Sequence, residues 1–206
     1  GLAALRAALD GVRSESFTTV LVAAGDTRAA EPGTELEALF GDAGAAVMVG
    51  RDGVIAEFVT AASVAEEFTH FYRKEDDRYV QVPDTRFGDQ YGYTPGIVDA
   101  VSLALKQAEL PIQKVAKLAL ATPDARAAAD AAKKLGATTA QVEVHLINEA
   151  GVTGTPDPLL LLAKSLETAQ PGDFIVVAAY GEGADALIFR ATDALPANRP
   201  RPVADA

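Results

Sequence analysis

The stretch VAAYGEGADALIF, Val177 to Phe189, holds two apolar β-type runs joined through Gly181-Glu182-Gly183. The flanking residues are β-branched, aromatic or small, with no proline, so both runs read as strands. Two readings of the turn remain open. The glycines meet the backbone demand of a tight hairpin, which takes a positive φ, or they shape a loop that admits a substrate.

Working outward, residues 158–183 (PLLLLAKSLETAQPGDFIVVAAYGEG) overlay residues 1–26 (GLAALRAALDGVRSESFTTVLVAAGD) without a gap. Leu2, Leu5 and Leu9 fall on Leu159, Leu162 and Leu166, Phe17 on Phe174 and Val20 on Val177. Both copies run on through a Gly-acid turn into another β segment. Any two helix–strand pairs share apolar faces, but the shared element order and Gly-acid turn make duplication of one unit a better reading than a chance match. The second copy begins near Pro95 with a helix, a strand and a helix that the first copy lacks. The pattern is that of one and a half copies.

The remaining elements follow from periodicity and punctuation. Residues 2–13 are an amphipathic helix, and FTTVLVAAGD is a buried strand. The segment 27–44 is a loop with one helical turn. AAVMVGRDGVIAEFVTAA reads as a hairpin tipped by Asp52-Gly53. Residues 66–95 are polar, aromatic-spotted and turn-rich. Ile97, Val101, Leu105 and Ala108 mark a helix ending before Pro111, and KVAKLALAT is a strand. Thr122-Pro123 supplies an N-cap and first-turn proline for DARAAADAAKK, and Asp157-Pro158 does the same for LLLLAKSLETA. The expected division is 1–62, 63–95, 96–195 and a Pro-rich tail at 196–206.

Composition bounds the function. Eighteen Lys and Arg against 29 Asp and Glu give a net charge of −11, which excludes a duplex nucleic-acid partner. No apolar run is long enough to span a membrane. With no cysteine, the chain has no disulfide, no thiolate metal site and no thiol nucleophile. No metal motif is present, and a cytoplasmic location is expected. GEGADA lacks the lysine of a P-loop and the spacing of a dinucleotide fingerprint. GDTR and GDAG are too short to carry meaning. His145, in an alternating VEVHL strand, reads as structural, and His70 lies in the polar excursion. Asp124 and Asp157 read as helix-start residues.

A duplicated α/β unit ending in helix, strand, glycine turn and strand resembles the thiolase superfamily. Within it, the resemblance is to the hydroxymethylglutaryl-CoA synthase and ketoacyl-ACP synthase III group. LAALRAALDGVRS…VLVAAGDTR…EPGTELEALFGDAGAAVMVG is similar to the segment following the family's nucleophilic cysteine, and GVIAEFVTAASVAEEF…YV…RFGDQYGY to its insertion between halves. LATPDARAAADAAKKLG resembles the His-x-Pro segment, and GVTGTPDPLLLLAKSLETAQPGDFIVVAAYGEGADALIF resembles the Gly-Asn-Thr-Gly segment with the closing turn. The fold implied is α/β, with thiolase-like duplicated αβ layers, mixed sheets, helices between them, and an incomplete N-terminal half.

The resemblance also implies carbon–carbon bond formation or cleavage on acyl-CoA or acyl-ACP thioesters, with a CoA thioester as substrate and no covalently bound cofactor. The family cysteine falls before Gly1, its His on Ala121 and its Asn on Val152. Gly181 and Gly183 match the turn bordering the acyl group, and Arg126 falls where a lysine reaches the carrier; a solvated helix arginine is the plain alternative. Tyr180, Tyr91 and Tyr93 are candidate hydrogen-bond donors or acids, or packing residues. Two functions therefore stay open. One is a thioester-handling subunit, possessing a nucleophile elsewhere or using cysteine-independent, aldolase-type chemistry. The other is a degenerate scaffold supporting a partner. The implied partners are a second copy, a hetero-oligomeric subunit, a small OB-fold zinc-ribbon protein, or a polypeptide supplying the rest of the first half.

Overall fold

A computed structural model describes residues 1–82, 84–143 and 146–203. His145 lies outside the described residues. In chain order the elements are α1 (Leu2–Arg13), β1 (Val20–Asp26), α2 (Glu35–Leu39), β2 (Ala43–Val49), β3 (Ala56–Ala65), α3 (Thr85–Gly88), α4 (Thr94–Gln107), β4 (Val115–Ala121), α5 (Ala125–Lys134), α6 (Ile147–Ala150), α7 (Asp157–Thr168), β5 (Phe174–Gly181) and β6 (Gly183–Ala191). A π-helical turn, Asp89–Tyr93, joins α3 to α4 without a break.

The strands form two sheets. β1 and β2 make an antiparallel ribbon, and the second sheet runs β3-β6-β5-β4. In the second sheet β4 and β5 are parallel and the other pairs antiparallel. Alternate residues of β5 explain why it reads as continuously apolar. Val176 and Ala178 face a core built with α4 and α5, through Ile97, Val101, Ala128 and Ala131. Ile175 and Val177 face a core built with α1 and α7, through Leu5, Leu159, Leu162 and Leu166. A strand covered on both faces has no polar side to show.

Val22 of β1 and Val49 of β2 belong to that second core. The layers are therefore α4/α5, the four-stranded sheet, α1/α7, and the ribbon. Both central helices pack between sheets, and α7 buries Leu159, Leu161, Leu162 and Leu166 around more than one face, as a doubly covered helix must. Their C-terminal carbonyls are held alike. Arg51 Nη2 donates to Val12 O at 2.7 Å, and Arg199 Nη1 donates to Glu167 O at 2.8 Å, each placing a cation at the negative helix end. The duplication read from residues 1–26 and 158–183 appears as α1–β1–β2 and α7–β5–β6, each a central helix followed by a strand paired antiparallel with the next.

The hairpin expected at 45–62 is corrected. β2 pairs with β1, and β3 pairs with β6, so Arg51-Asp52-Gly53 is a crossover between two sheets. The boundary set after residue 62 consequently falls inside β3. The N-cap of α5 is corrected as well. Asp124 is the cap, accepting from Arg126 N at 2.8 Å. Thr122 folds over it, its Oγ1 accepting from Asp124 N and donating to Asp124 O.

Candidate functional site

A cleft of about 640 Å³ opens where the strand ends, the start of α7 and the 63–95 excursion meet. Its floor includes Ala121 at the end of β4, Val152, and the turn Gly181–Gly183. Gly1 also lines it. The positions to which the resemblance assigns the neighbour of the nucleophile, the His, the Asn and the glycine turn thus border one cavity. The side chains present there, Ala121 and Val152, carry no polar group.

The two glycines of the turn answer the opening question differently. Gly183 has φ +106°, and the Val64 carbonyl of β3 occupies the space of a Cβ, so structure alone requires a glycine there. Gly181 has no positive φ, and a Cβ there would meet nothing within 4 Å. The backbone at Gly181 borders open cleft. Glu182 between them is exposed and accepts from Thr69 Oγ1 at 3.4 Å.

The candidate tyrosines separate. Tyr91 is 55% exposed, stacks on Phe87 with ring centroids 4.6 Å apart, and is not among the cleft's lining residues. Tyr180 lines the cleft, but its hydroxyl donates to Phe68 O at 3.0 Å with Glu66 Oε2 at 3.3 Å. Burial first, then the Glu66 carboxylate, pushes its pKa up to about 12. Tyr93 lines the cleft at the end of the π turn, is 1% exposed, and its hydroxyl has no hydrogen-bond partner. Thr122, whose hydroxyl also donates to Asp124 O and accepts from Asp124 N, stands close enough to ease ionisation. Burial, reinforced by the charges of Asp157, Asp89 and Asp124, holds the Tyr93 phenol well above its ordinary range. π turns, which carry one residue more than the α-helical register around them, recur at functional sites. Arg126 sits exposed on α5, outside the cleft lining.

Three further polar groups enter the cleft. Arg28, two residues past β1, lies over the Phe40 ring at 4.6 Å and donates from Nη2 to Val152 O at 3.3 Å. Its neighbour Asp26 accepts from both N and Oγ1 of Thr155 at 3.1 Å, tying β1 to the start of α7. Asp157, on the first turn of α7, is 8% exposed and accepts from Thr153 Oγ1 at 3.4 Å. Burial pushes its carboxyl up to about 6, against the pull of Thr153 and Arg28. His70 lines the cleft, 5% exposed, with Nε2 unpartnered and its ring packed on Phe71 and against Gly88. Burial lowers its pKa and favours the neutral imidazole.

GDTR, dismissed by length, therefore delivers Arg28 to the cleft and Asp26 to the Thr155 contact beside it. Asp157 was hidden behind its helix-start role, and only its burial distinguishes it from an ordinary first-turn acid. A second groove of about 920 Å³, between α2 and α5, shares Phe71 and Pro123 with the cleft. Among the described residues, no group of three or more His, Asp or Glu is placed to hold a metal ion, and no helix is long and apolar enough to cross a membrane.

No protein-family model matches the sequence. A hydroxymethylglutaryl-CoA synthase of Methanosphaera stadtmanae is 30% identical over 193 residues, covering 93% of this chain and 56% of the relative. A crystal structure of HMG-CoA synthase complexed with CoA superposes with a TM-score of 0.83 at 21% identity, covering 97% of this chain and 55% of that one. The 3-oxoacyl-(acyl carrier protein) synthase III of Pseudomonas aeruginosa gives 0.81 at 16% identity, covering 93% and 64%. The layered fold and these matches place the chain in the thiolase-like superfamily. Its similarity is to the hydroxymethylglutaryl-CoA synthase and 3-oxoacyl-ACP synthase III group, and it spans about half the length of the curated relatives it matches.

Proposed function

We propose that the chain is a thiolase-like subunit that holds an acyl-CoA or acyl-ACP thioester in the 640 Å³ cleft for carbon–carbon bond formation or cleavage. The observation that carries this reading is the convergence of Gly1, Ala121, Val152 and Gly181 on one cavity, although they come from four separated stretches. The chain brings no cysteine, and apolar side chains stand at Ala121 and Val152, so its own contribution is acid–base and electrostatic rather than nucleophilic. Tyr93 is the donor we assign to the thioester, because its hydroxyl alone among the three tyrosines is buried and uncommitted. The exposed Arg126 serves, in this reading, the carrier rather than the acyl group.

The scaffold reading draws on a different observation. The outer face of the ribbon is apolar, with Leu21 and Met48 paired across the strands and 61% and 64% exposed. A contiguous apolar face of this kind marks an interaction surface. We place there the partner polypeptide of the assembly. Calorimetric titration of the natively purified assembly with acetyl-CoA, with product analysis by mass spectrometry, separates the readings. Saturable binding and new C–C products support the enzyme subunit. Absence of thioester binding beside intact assembly leaves the scaffold.

A further inference from the structure

Asp157 and Tyr93 share the cleft with no role fixed by the local structure of either. A helix-start carboxylate ordinarily accepts from backbone N–H groups and stays solvated. Asp157 does neither: among the described residues, the hydrogen bond it accepts comes from the Thr153 hydroxyl, and it is 8% exposed. The backbone before α7 is held instead by Asp26, through Thr155 N. The Tyr93 hydroxyl, with Thr122 beside it, meets no partner in hydrogen-bond geometry inside the protein, a cost that a bound ligand oxygen would relieve.

We propose that Asp157 is the general base and Tyr93 the hydrogen-bond donor for enolisation of the acyl thioester in this cleft. The proposal rests on the thioester reading above. In the step, the Asp157 carboxylate takes a proton from the carbon next to the thioester carbonyl. The C–H electron pair becomes the C=C bond of the enolate, and the carbonyl π pair moves to oxygen. The Tyr93 hydroxyl donates a hydrogen bond to that oxygen and keeps its proton. Reversal returns the proton to carbon, so no oxidant or reductant is involved. The same step run from a 3-hydroxyacyl thioester has Asp157 take the hydroxyl proton. The bond between C2 and C3 breaks, a carbonyl compound leaves, and the same enolate remains under Tyr93.

The environments are set apart as such a division requires. Burial holds Asp157 near 6, so that it is ionised at neutral pH yet basic enough to take a proton, and it holds Tyr93 protonated. The charged and titratable groups of the cleft that Asp157 shares are Arg28 from just past β1, His70 and Tyr93 from the excursion, Tyr180 from β5, Glu182 from the β5–β6 turn, Asp185 from β6 and the amine of Gly1, with Asp26 beside Arg28. Of these, Arg28 is the group that pulls Asp157 downward.

The test is α-proton exchange in D2O, followed by NMR on the natively purified assembly, with acetyl-CoA, butyryl-CoA and 3-hydroxybutyryl-CoA as probes. Exchange of at least one probe is expected, rising with pH through about 6 and levelling above it. D157N and Y93F should each slow it roughly 100-fold or more, with probe affinity changed less than about threefold and thermal unfolding retained. If D157N does not fold, the wild-type pH profile decides, and a rate flat from pH 5 to 8 overturns the assignment. Exchange at the wild-type rate in D157N, or probe binding without exchange, also overturns it. Absence of binding by the wild type overturns the thioester reading itself.

Discussion

The carbonyl of Val64 on β3 stands where a Cβ on Gly183 would lie. Gly183→Ala therefore meets both a positive φ and a backbone atom that cannot withdraw without breaking the β3–β6 register. A loss of about 2–4 kcal/mol is expected. Gly181→Ala meets open space and should stay within about 0.5 kcal/mol of wild type. Urea denaturation of both variants checks this, and equal losses would refute the distinction between the two glycines.

Asp26 joins the ribbon to the start of α7 through Thr155, with both contacts at 3.1 Å. Asp26→Ala should cost about 1–3 kcal/mol, because the N–H and hydroxyl of Thr155 lose their acceptor and Arg28 loses its nearest counter-charge. Asp26→Asn keeps an acceptor oxygen and should recover part of that loss. Equilibrium unfolding of the pair gives the comparison.

The raised carboxyl of Asp157 makes a stability prediction independent of chemistry. Its folded pKa, about 6, lies above its unfolded value near 3.8. The folded state thus binds the proton more tightly, and this stabilisation is full below about pH 4 and lost as pH rises through 6. Asp157→Asn removes the effect. Relative to wild type, the variant should gain on the order of 2–3 kcal/mol between pH 4 and 7. Unfolding free energies at several pH values measure the difference, and parallel pH curves would contradict it.

Leu21 and Met48 test the ribbon face. Because both are exposed in this chain, the double variant L21E/M48E should unfold within about 1 kcal/mol of wild type. On the proposal that a partner polypeptide seats on the ribbon, the same variant should lower the mass of the natively purified protein in native mass spectrometry. An unchanged mass would refute a partner on this face. By contrast, Leu162→Ala, inside the layer between the sheets and 4% exposed, should cost about 2–5 kcal/mol.

Much of this architecture was legible in short-range patterns. The overlay of residues 1–26 on 158–183 identified both central helices and implied the ribbon, since the pairing of β5 with β6 reappears in β1 with β2. The hairpin reading at Asp52-Gly53 failed because a turn signal reports that the chain bends, not which strand it meets next. The site was less legible. Tyr91 and Tyr93 are equivalent by type; two residues apart on one rod they point to opposite sides, and which side meets the core is set by tertiary packing that no local pattern shows. Asp157 resembles any first-turn acid until tertiary packing buries it. Arg28 sits in a loop, where nothing local foretells the Phe40 ring beneath it.

The uninterrupted rod from Thr85 to Gln107 accommodates its π turn at Asp89–Tyr93. A π turn holds one residue more than the i→i+4 ladder around it, so a single-codon deletion within 89–93 would restore a plain α-helix. The upstream part of the rod would then rotate by about 100° about its axis, and its α3 turn, with Gly88 packed on His70, would leave its place beside the cleft. One residue's worth of chain in that turn therefore sets the direction in which the excursion leaves the rod.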